Sequence, residues 1–546
     1  MSDDGVAGPS SSPPVPPSPR VETAGVEAGV DAQPAGEQDA ELLPPTEDDA
    51  ALPREVPEHN LIAAQQALQG GIFTMATDHP PLRLSSIRLI GTTHVRPSFL
   101  SHLCAPYISQ PTALQRLLGV GPSSSSSSHP LPAPGERTTL RELLALSARL
   151  AEQLDRLDLF RGVDVTLLPS ASADSPHSKE ETDIVIQLAE APRFWLKSSS
   201  DVGNGEGSVS LQGRVRNLFG GGEKLEGSYE VGTRTRSALN ATLSAPVAGS
   251  ADHVARLGVY SCERDKSWYA SHEESSAGLR VSIEGANRAR GLTNELACEG
   301  VWRRIGRVGA GASTPVRRER GDDVKTSLVH TLVHDTRDEP FLGSEGWFGK
   351  SVTELASRWL GGGRDHLRWE GEASLTRRLD FTSTGLRGEV QGWGYSTGLR
   401  TGFILPLRRG ERHHLSDLFH LGGPTSLRMF SPNSLGPKSG RDSLGGWAYY
   451  EVGGSLFAPC WPGKAHWPLK VHAFLNAGQV AGGASSRGQS LLSAAREPSM
   501  SAGMGLAYTQ GPLRVEVNAG MPITSRRGDG QRKGVQFGIG IDFLGG

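Results

Sequence analysis

Residues Leu513–Met521 read LRVEVNAGM and Gly534–Phe543 read GVQFGIGIDF. In the first run Leu513, Val515, Val517 and Ala519 alternate with Arg514, Glu516 and Asn518. In the second, Val535, Phe537, Ile539, Ile541 and Phe543 alternate with Gln536, Gly538, Gly540 and Asp542. A period of two marks a strand with two unlike faces. KVHAFLNAG (Lys470–Gly478) repeats the pattern. From Phe194 to Gly546 such runs recur between Gly, Asp, Asn and Ser turns, with no convincing helix. A soluble sandwich alternates in the same way. Roughly 350 residues of strand with no helices to cover a face fit a membrane barrel better, apolar toward lipid and polar or glycine toward a wet lumen. At about 22 residues per strand and loop, the region predicts a transmembrane β-barrel of about 16 strands.

The rest of the chain is consistent with this. Its 546 residues suffice for more than one domain. No apolar run approaches the ~20 residues a membrane-spanning helix needs, and the opening MSDD lacks the basic and apolar regions of a secretory signal. Residues 1–60 hold thirteen Asp and Glu against Arg20 and Arg54. That is a local charge of −11 in a chain of −3, leaving +8 on the remainder. Rich in Pro and Ser, residues 1–80 are expected to be a disordered tail, because they cannot bury enough apolar surface to offset chain entropy. The four cysteines, Cys104, Cys262, Cys298 and Cys460, are scattered and suggest neither a disulfide framework nor a zinc site.

Residues 81–193 predict a small α+β module. LSSIRLIG reads as a strand, and RPSFLSHLCAPY as a helix opened by Pro97 with Phe99, Leu100 and Leu103 on one face. A low-complexity insert follows near 118–137. In TLRELLALSARLAEQLDRLDLF, Leu143, Leu146, Leu150, Leu154 and Leu157 keep helical spacing. GVDVTLLP and TDIVIQLAE then close a β-α-α-β-β order. Residues 194–546 form the barrel.

Patterns that suggest enzymes do not survive their context. SEGWFGKSV (Ser344–Val352) has Ser where a phosphate-cradling loop needs its first Gly, and it lies among strands. His413, His414 and His420 lack a matching ligand set, so no metal is expected. No cofactor, nucleic-acid partner or enzyme activity is expected.

One stretch is more specific. FHLGGPTSLRMFSPNSLGPKSGRDSLGG (Phe419–Gly446) resembles the long lumenal loop of the barrels that follow POTRA domains, a family of bacterial outer-membrane assembly factors, plastid import channels and mitochondrial sorting-and-assembly barrels. That family's loop carries Val/Ile-Arg-Gly-Phe/Tyr. Here the four residues are Leu427, Arg428, Met429 and Phe430, with Met429 in the glycine slot. Asp335, Thr336, Arg337 and Asp338 match the family's DTRD strand-turn motif. Phe474-Leu-Asn476-Ala-Gly478 matches its FxDxG strand, with Asn for Asp. Gln536, Gly538, Ile541 and Phe543 match a mitochondrial β-signal, polar-x-Gly-x-x-hydrophobic-x-hydrophobic.

The resemblance implies a single POTRA-like domain in the intermembrane space and a barrel in the mitochondrial outer membrane. It implies insertion and folding of β-barrel precursors by β-signal templating at a lateral seam between the first strand, near Phe194–Ser200, and the last. Its partners would be those precursors, accessory sorting-machinery subunits and the lipid bilayer. The alternatives are a plastid-type translocation channel and, further off, a passive porin. Strand parity turns Glu451 of YYEVGGSLF into the lumen. Glu451, Asn476 and Asp542 are therefore the expected partners of Arg428, with Phe474 as a stacking wall.

Overall fold

The computed structural model describes residues 82–108, 137–169, 181–203, 206–339, 345–381, 390–408, 410–461, 467–482, 491–510 and 513–540. The acidic tail, most of the Ser-rich insert, and Ile541, Asp542 and Phe543 lie outside them.

Among the described residues the N-terminal module is a four-stranded sheet with two helices. Strands β1 (Leu82–Ile90), β2 (Arg137–Thr138), β3 (Phe160–Pro169) and β4 (Glu181–Glu190) lie in the order β2-β1-β4-β3. β1 and β4 are parallel. Helices α1 (Pro97–Ile108) and α2 (Leu140–Arg156) pack on the sheet, and Leu103, Leu146, Leu150 and Leu154 meet Ile184 and Ile186 in its core. α2 begins where it does because Thr139 and Glu142 form a reciprocal capping box. The observed order adds β2 to the expected β-α-α-β-β. Two residues are too few to show alternation. Cys104 is buried in this core, which pushes its thiol up to about 11 and leaves it inert.

The module's last strand ends at Glu190, just before Pro192, and the barrel starts two residues after that proline, at Phe194. Among the described residues, sixteen antiparallel strands run in chain order from β5 (Phe194–Gly203) to β22 (Gly534–Gly540). β16 (Lys438–Ser439) and β17 (Asp442–Ser443) stand apart, as a small ladder inside one loop. The alternation seen in the sequence is the inside–outside alternation of the wall. In β21 (Leu513–Thr524), Arg514, Glu516 and Asn518 are fully buried while Val517 is exposed. In β22, Val535 and Phe537 face outward and Gln536 is buried. No described helix is long and apolar enough to cross a membrane; the strands do so. The hydrogen-bonded order of the described residues ends at β5 on one side and β22 on the other, and the two come within 8 Å between Cα atoms.

The module is fastened to the turns of the first barrel strands. These are turn 217–223, between β6 (Glu206–Arg216) and β7 (Lys224–Gly232), and turn 247–252, between β8 (Thr235–Pro246) and β9 (His253–Asp265). Arg96 donates its N–H to the Gly220 carbonyl at 2.8 Å and pairs with Glu223 at 2.7 Å. Asn217 Nδ2 donates to the His94 carbonyl at 3.0 Å, and Arg156 pairs with Asp252 at 3.3 Å. Gly220 sits at φ +89°, where a Cβ would lie 2.8 Å from Arg96 Cγ. Glu190 holds the adjoining segment by accepting the N–H groups of Thr93 at 2.7 Å and His94 at 2.9 Å. Burial pushes this carboxyl up, but the bonds from His94 and Thr93 prevail and hold it at about 2.

Candidate functional site

Between β15 (Val390–Pro406) and β18 (Ala448–Pro459), a loop folds into the lumen through residues 414–447. The base of this loop has its own apolar cluster, in which Leu415, Leu418, Phe419 and Leu444 pack on Ile305, Val316 and Ile404. Beside it, the buried carboxylate of Asp417 accepts from Arg303 at 2.6 Å and Lys325 at 3.1 Å. These cations come from β11 (Leu292–Gly306) and β12 (Gly321–Asp335). Lys325 also pairs at 2.6 Å with Glu354 of β13 (Gly346–Ala356). The base is therefore tied to the wall far from the seam.

From there the tip crosses to the last strands. Leu427, Phe430, Leu421 and Leu435 form a second cluster with Val480 of β19 (Leu469–Ala481). Arg428 is fully buried. Its Nε and Nη2 donate to the two carboxylate oxygens of Glu516 at 2.9 and 3.0 Å. This planar two-point match is one that only arginine provides. Glu516 also accepts from Arg514 and, at 2.8 Å, from Asn518. Arg428 lies 5.2 Å from the Phe474 ring centroid, and Arg514 lies 5.4 Å from that of Phe457. With its amide oxygen turned to the guanidinium, Asn476 accepts from Arg428 Nη1 at 3.2 Å. Gly503, on β20 (Ser499–Gln510), makes room for this wall, since a Cβ there would meet Phe474 Cζ at 2.7 Å.

Met429, in the glycine slot, holds the left-handed turn itself, with φ +64° and its side chain buried. Its N–H donates to Gln536 Oε1 at 2.8 Å, and Gln536 Nε2 donates to the Phe430 carbonyl at 3.2 Å. The hairpin 525–533 between β21 and β22 takes the remaining tip groups. Arg532 N–H reaches the Met429 carbonyl at 3.0 Å, and Ser431 N–H reaches the Gly530 carbonyl at 2.8 Å.

The structure thus brings Leu427, Arg428, Met429, Phe430, Phe474, Asn476 and Gln536 together. Gly538 stands opposite Glu516 in the β21–β22 register. The two-point partner of Arg428 is Glu516, a residue that the sequence did not nominate. Glu451 does face the lumen, where it stands in register with Arg400 on β15 and lies beside Ser426 and Arg428 of the loop. Asp542, nominated beside it, lies outside the described residues, as do Ile541 and Phe543. The DTRD residues are elsewhere. Asp335 accepts from Arg337 Nε at 3.0 Å and Nη2 at 2.9 Å, Thr336 bonds Trp347, and Asp338 accepts the Glu345 N–H at 3.1 Å. They build the β12–β13 turn. Counting strands around the barrel puts it at the end opposite the lumenal loop. Among the described residues no cluster of His, Cys, Asp or Glu could hold a metal.

The sequence reading missed Glu516, Arg514, Asn518 and Asp417 as functional positions. The signal for the first three was present, because LRVEVNAGM places an Arg-Glu-Asn trio on one lumenal face. Nothing local marked Asp417.

A model of the Omp85 superfamily domain matches residues 217–543. A SAM50-like protein of Schizosaccharomyces pombe is 30% identical over 503 residues, covering 90% of this chain and 98% of its own length. The sorting and assembly machinery component 50 homolog of Homo sapiens is 32% identical over 416 residues, covering 74% of this chain and 84% of its own. Among solved structures, BamA from Haemophilus ducreyi lacking POTRA domains 1–3 aligns with a TM-score of 0.65 at 14% identity, covering 84% of each chain. That likeness speaks for the fold. The domain match spans more than half of the chain and the relatives align over most of their lengths, so the chain belongs to the Omp85 superfamily and, within it, to the Sam50 family.

Proposed function

We propose that the chain inserts and folds β-barrel precursors in the mitochondrial outer membrane, templating them at the seam between β5 and β22. Membership of the Sam50 family supports the role. The observation that carries the mechanism is the sheet itself, whose hydrogen-bonded order among the described residues ends at β5 and β22, where the two strands approach. Strand edges offer N–H and C=O groups to an extended segment, and a precursor strand is such a segment. Gly534, Gly538 and Gly540 weaken the packing of β22 and ease its separation.

In this reading the α+β module is a single POTRA-like domain in the intermembrane space, and the lumenal loop enters from the cytosolic side. Precursors and accessory sorting-machinery subunits are its partners. Membrane folding of the precursor drives the step without a nucleotide or covalent chemistry. A passive porin would gain nothing from a lumen filled by a buried Arg–Glu pair, which counts against that alternative. Depleting the protein and following newly made mitochondrial porin tests the role. Assembly of that porin is expected to stop, and undiminished assembly would refute the proposal.

A further inference from the structure

Gln536 uses both ends of its amide on the loop tip. The oxygen takes the Met429 N–H at 2.8 Å, and the nitrogen gives a hydrogen to the Phe430 carbonyl at 3.2 Å. All three residues are buried. The left-handed turn at Met429 aims these two backbone groups at the same side chain. The neighbouring tip groups are already engaged by the hairpin 525–533. The arrangement is a donor–acceptor pair matched to one primary carboxamide.

No other common side chain of that length serves both. Glutamate offers acceptors only and would set a second oxygen against the Phe430 carbonyl, while methionine fills the space and satisfies neither group. A one-residue slip of β22 would turn Val535 or Phe537 to the tip, and a two-residue slip would offer Gly534 or Gly538. The contact therefore reads residue type and register together, on a strand that the sheet holds from one side.

We propose that the Met429 N–H and the Phe430 carbonyl form a reading site for a carboxamide side chain on the strand that occupies the position of β22. Gln536 is the resident occupant, and an incoming precursor strand with glutamine at the matching position is the ligand. This rests on the insertion role proposed above. Displacing β22 empties a buried donor and a buried acceptor together, and a precursor strand that refills both is favoured over one that does not.

The test uses the full chain in lipid vesicles and a synthetic peptide of its own last strand, GVQFGIGIDF, with Gln, Glu or Met at the third position. Affinity is measured by competition against a labelled Gln peptide. Two hydrogen bonds to otherwise buried groups predict binding about tenfold tighter for Gln than for Glu or Met. Q536M protein, lacking the resident amide, should bind the Gln peptide more tightly than the natural chain. Saturable binding with equal affinity for the three peptides overturns the reading site and leaves the insertion role standing. Failure of any peptide to bind overturns both.

Discussion

Arg428, at the tip of a loop that leaves the wall at β15, is joined by two parallel hydrogen bonds to Glu516, in the middle of β21. Neither residue is exposed at all. The pair ties the lumenal loop to the strand next to the seam, while Asp417 ties the base of the same loop to β11 and β12. The loop thus spans the lumen between two buried ionic anchors.

The two partners are not equivalent. Glu516→Gln leaves two buried guanidiniums, those of Arg428 and Arg514, without the carboxylate they share. A loss of about 3–5 kcal/mol is expected. Arg428→Met leaves Glu516 with Arg514 and Asn518 and should cost less. Thermal unfolding of the barrel, followed by its heat-dependent mobility in detergent gels, gives the order. Equal midpoints would contradict the shared-carboxylate arrangement.

Asp417→Asn should loosen the base of the loop without releasing its tip. Arg303 and Lys325 keep Asp323 and Glu354 respectively, so the expected cost is smaller, about 1–3 kcal/mol. Trypsin cleavage after Arg408 or Arg412 should quicken, while a disulfide engineered between tip and β21 still forms. Loss of that disulfide would show that one anchor, not two, holds the loop.

Met429 separates backbone strain from packing. A left-handed non-glycine residue costs about 1–2 kcal/mol, whereas deleting a buried methionine side chain costs about 2–5 kcal/mol. Met429→Gly is therefore expected to destabilise overall. It should nevertheless be more stable than Met429→Ala by about 1 kcal/mol, because alanine loses the side chain and keeps the strain. An alanine variant at least as stable as the glycine variant would mean the turn carries no strain.

At the junction between module and barrel, Glu190 is held well below its ordinary value of 4.5, at about 2. A carboxylate lowered on folding contributes fully above pH 4.5 and loses its contribution as pH falls toward 2. Distances between spin labels on α2 and on turn 217–223 should broaden across that window in the natural protein. Glu190→Gln should remove the pH dependence. A natural protein whose distances are unchanged down to pH 2 would remove Glu190 from this role.

Much of the architecture was legible because its signal is local. Period two in Leu513–Met521 placed Glu516 in the lumen, and leucine spacing located α2. The ion pair was not legible because it joins elements that the sequence does not order in space. Glu451 follows the loop closely in the chain and faces the lumen, which made it the natural nominee. The tip instead passes over β19 and gives its two-point contact to β21, while Glu451 stands opposite Arg400 with Ser426 and Arg428 nearby. Asp417 was hidden for the same reason, since its value depends on cations from two other strands. Gln536 was singled out as part of a terminal signal, yet its bonds to Met429 and Phe430 depend on how deep the loop descends. Met429 holds its left-handed turn with a side chain where the family motif has glycine.

The most direct measurement is site-specific photocrosslinking of a precursor arrested during insertion. Probes are placed at Ser200 on β5, at Val535 on β22 and, as a reference, at Thr353 on β13. The account predicts crosslinks to the precursor's terminal strands from β5 and β22 and none from β13. Equal crosslinking from all three positions, or crosslinking from β13 alone, would contradict entry at the seam.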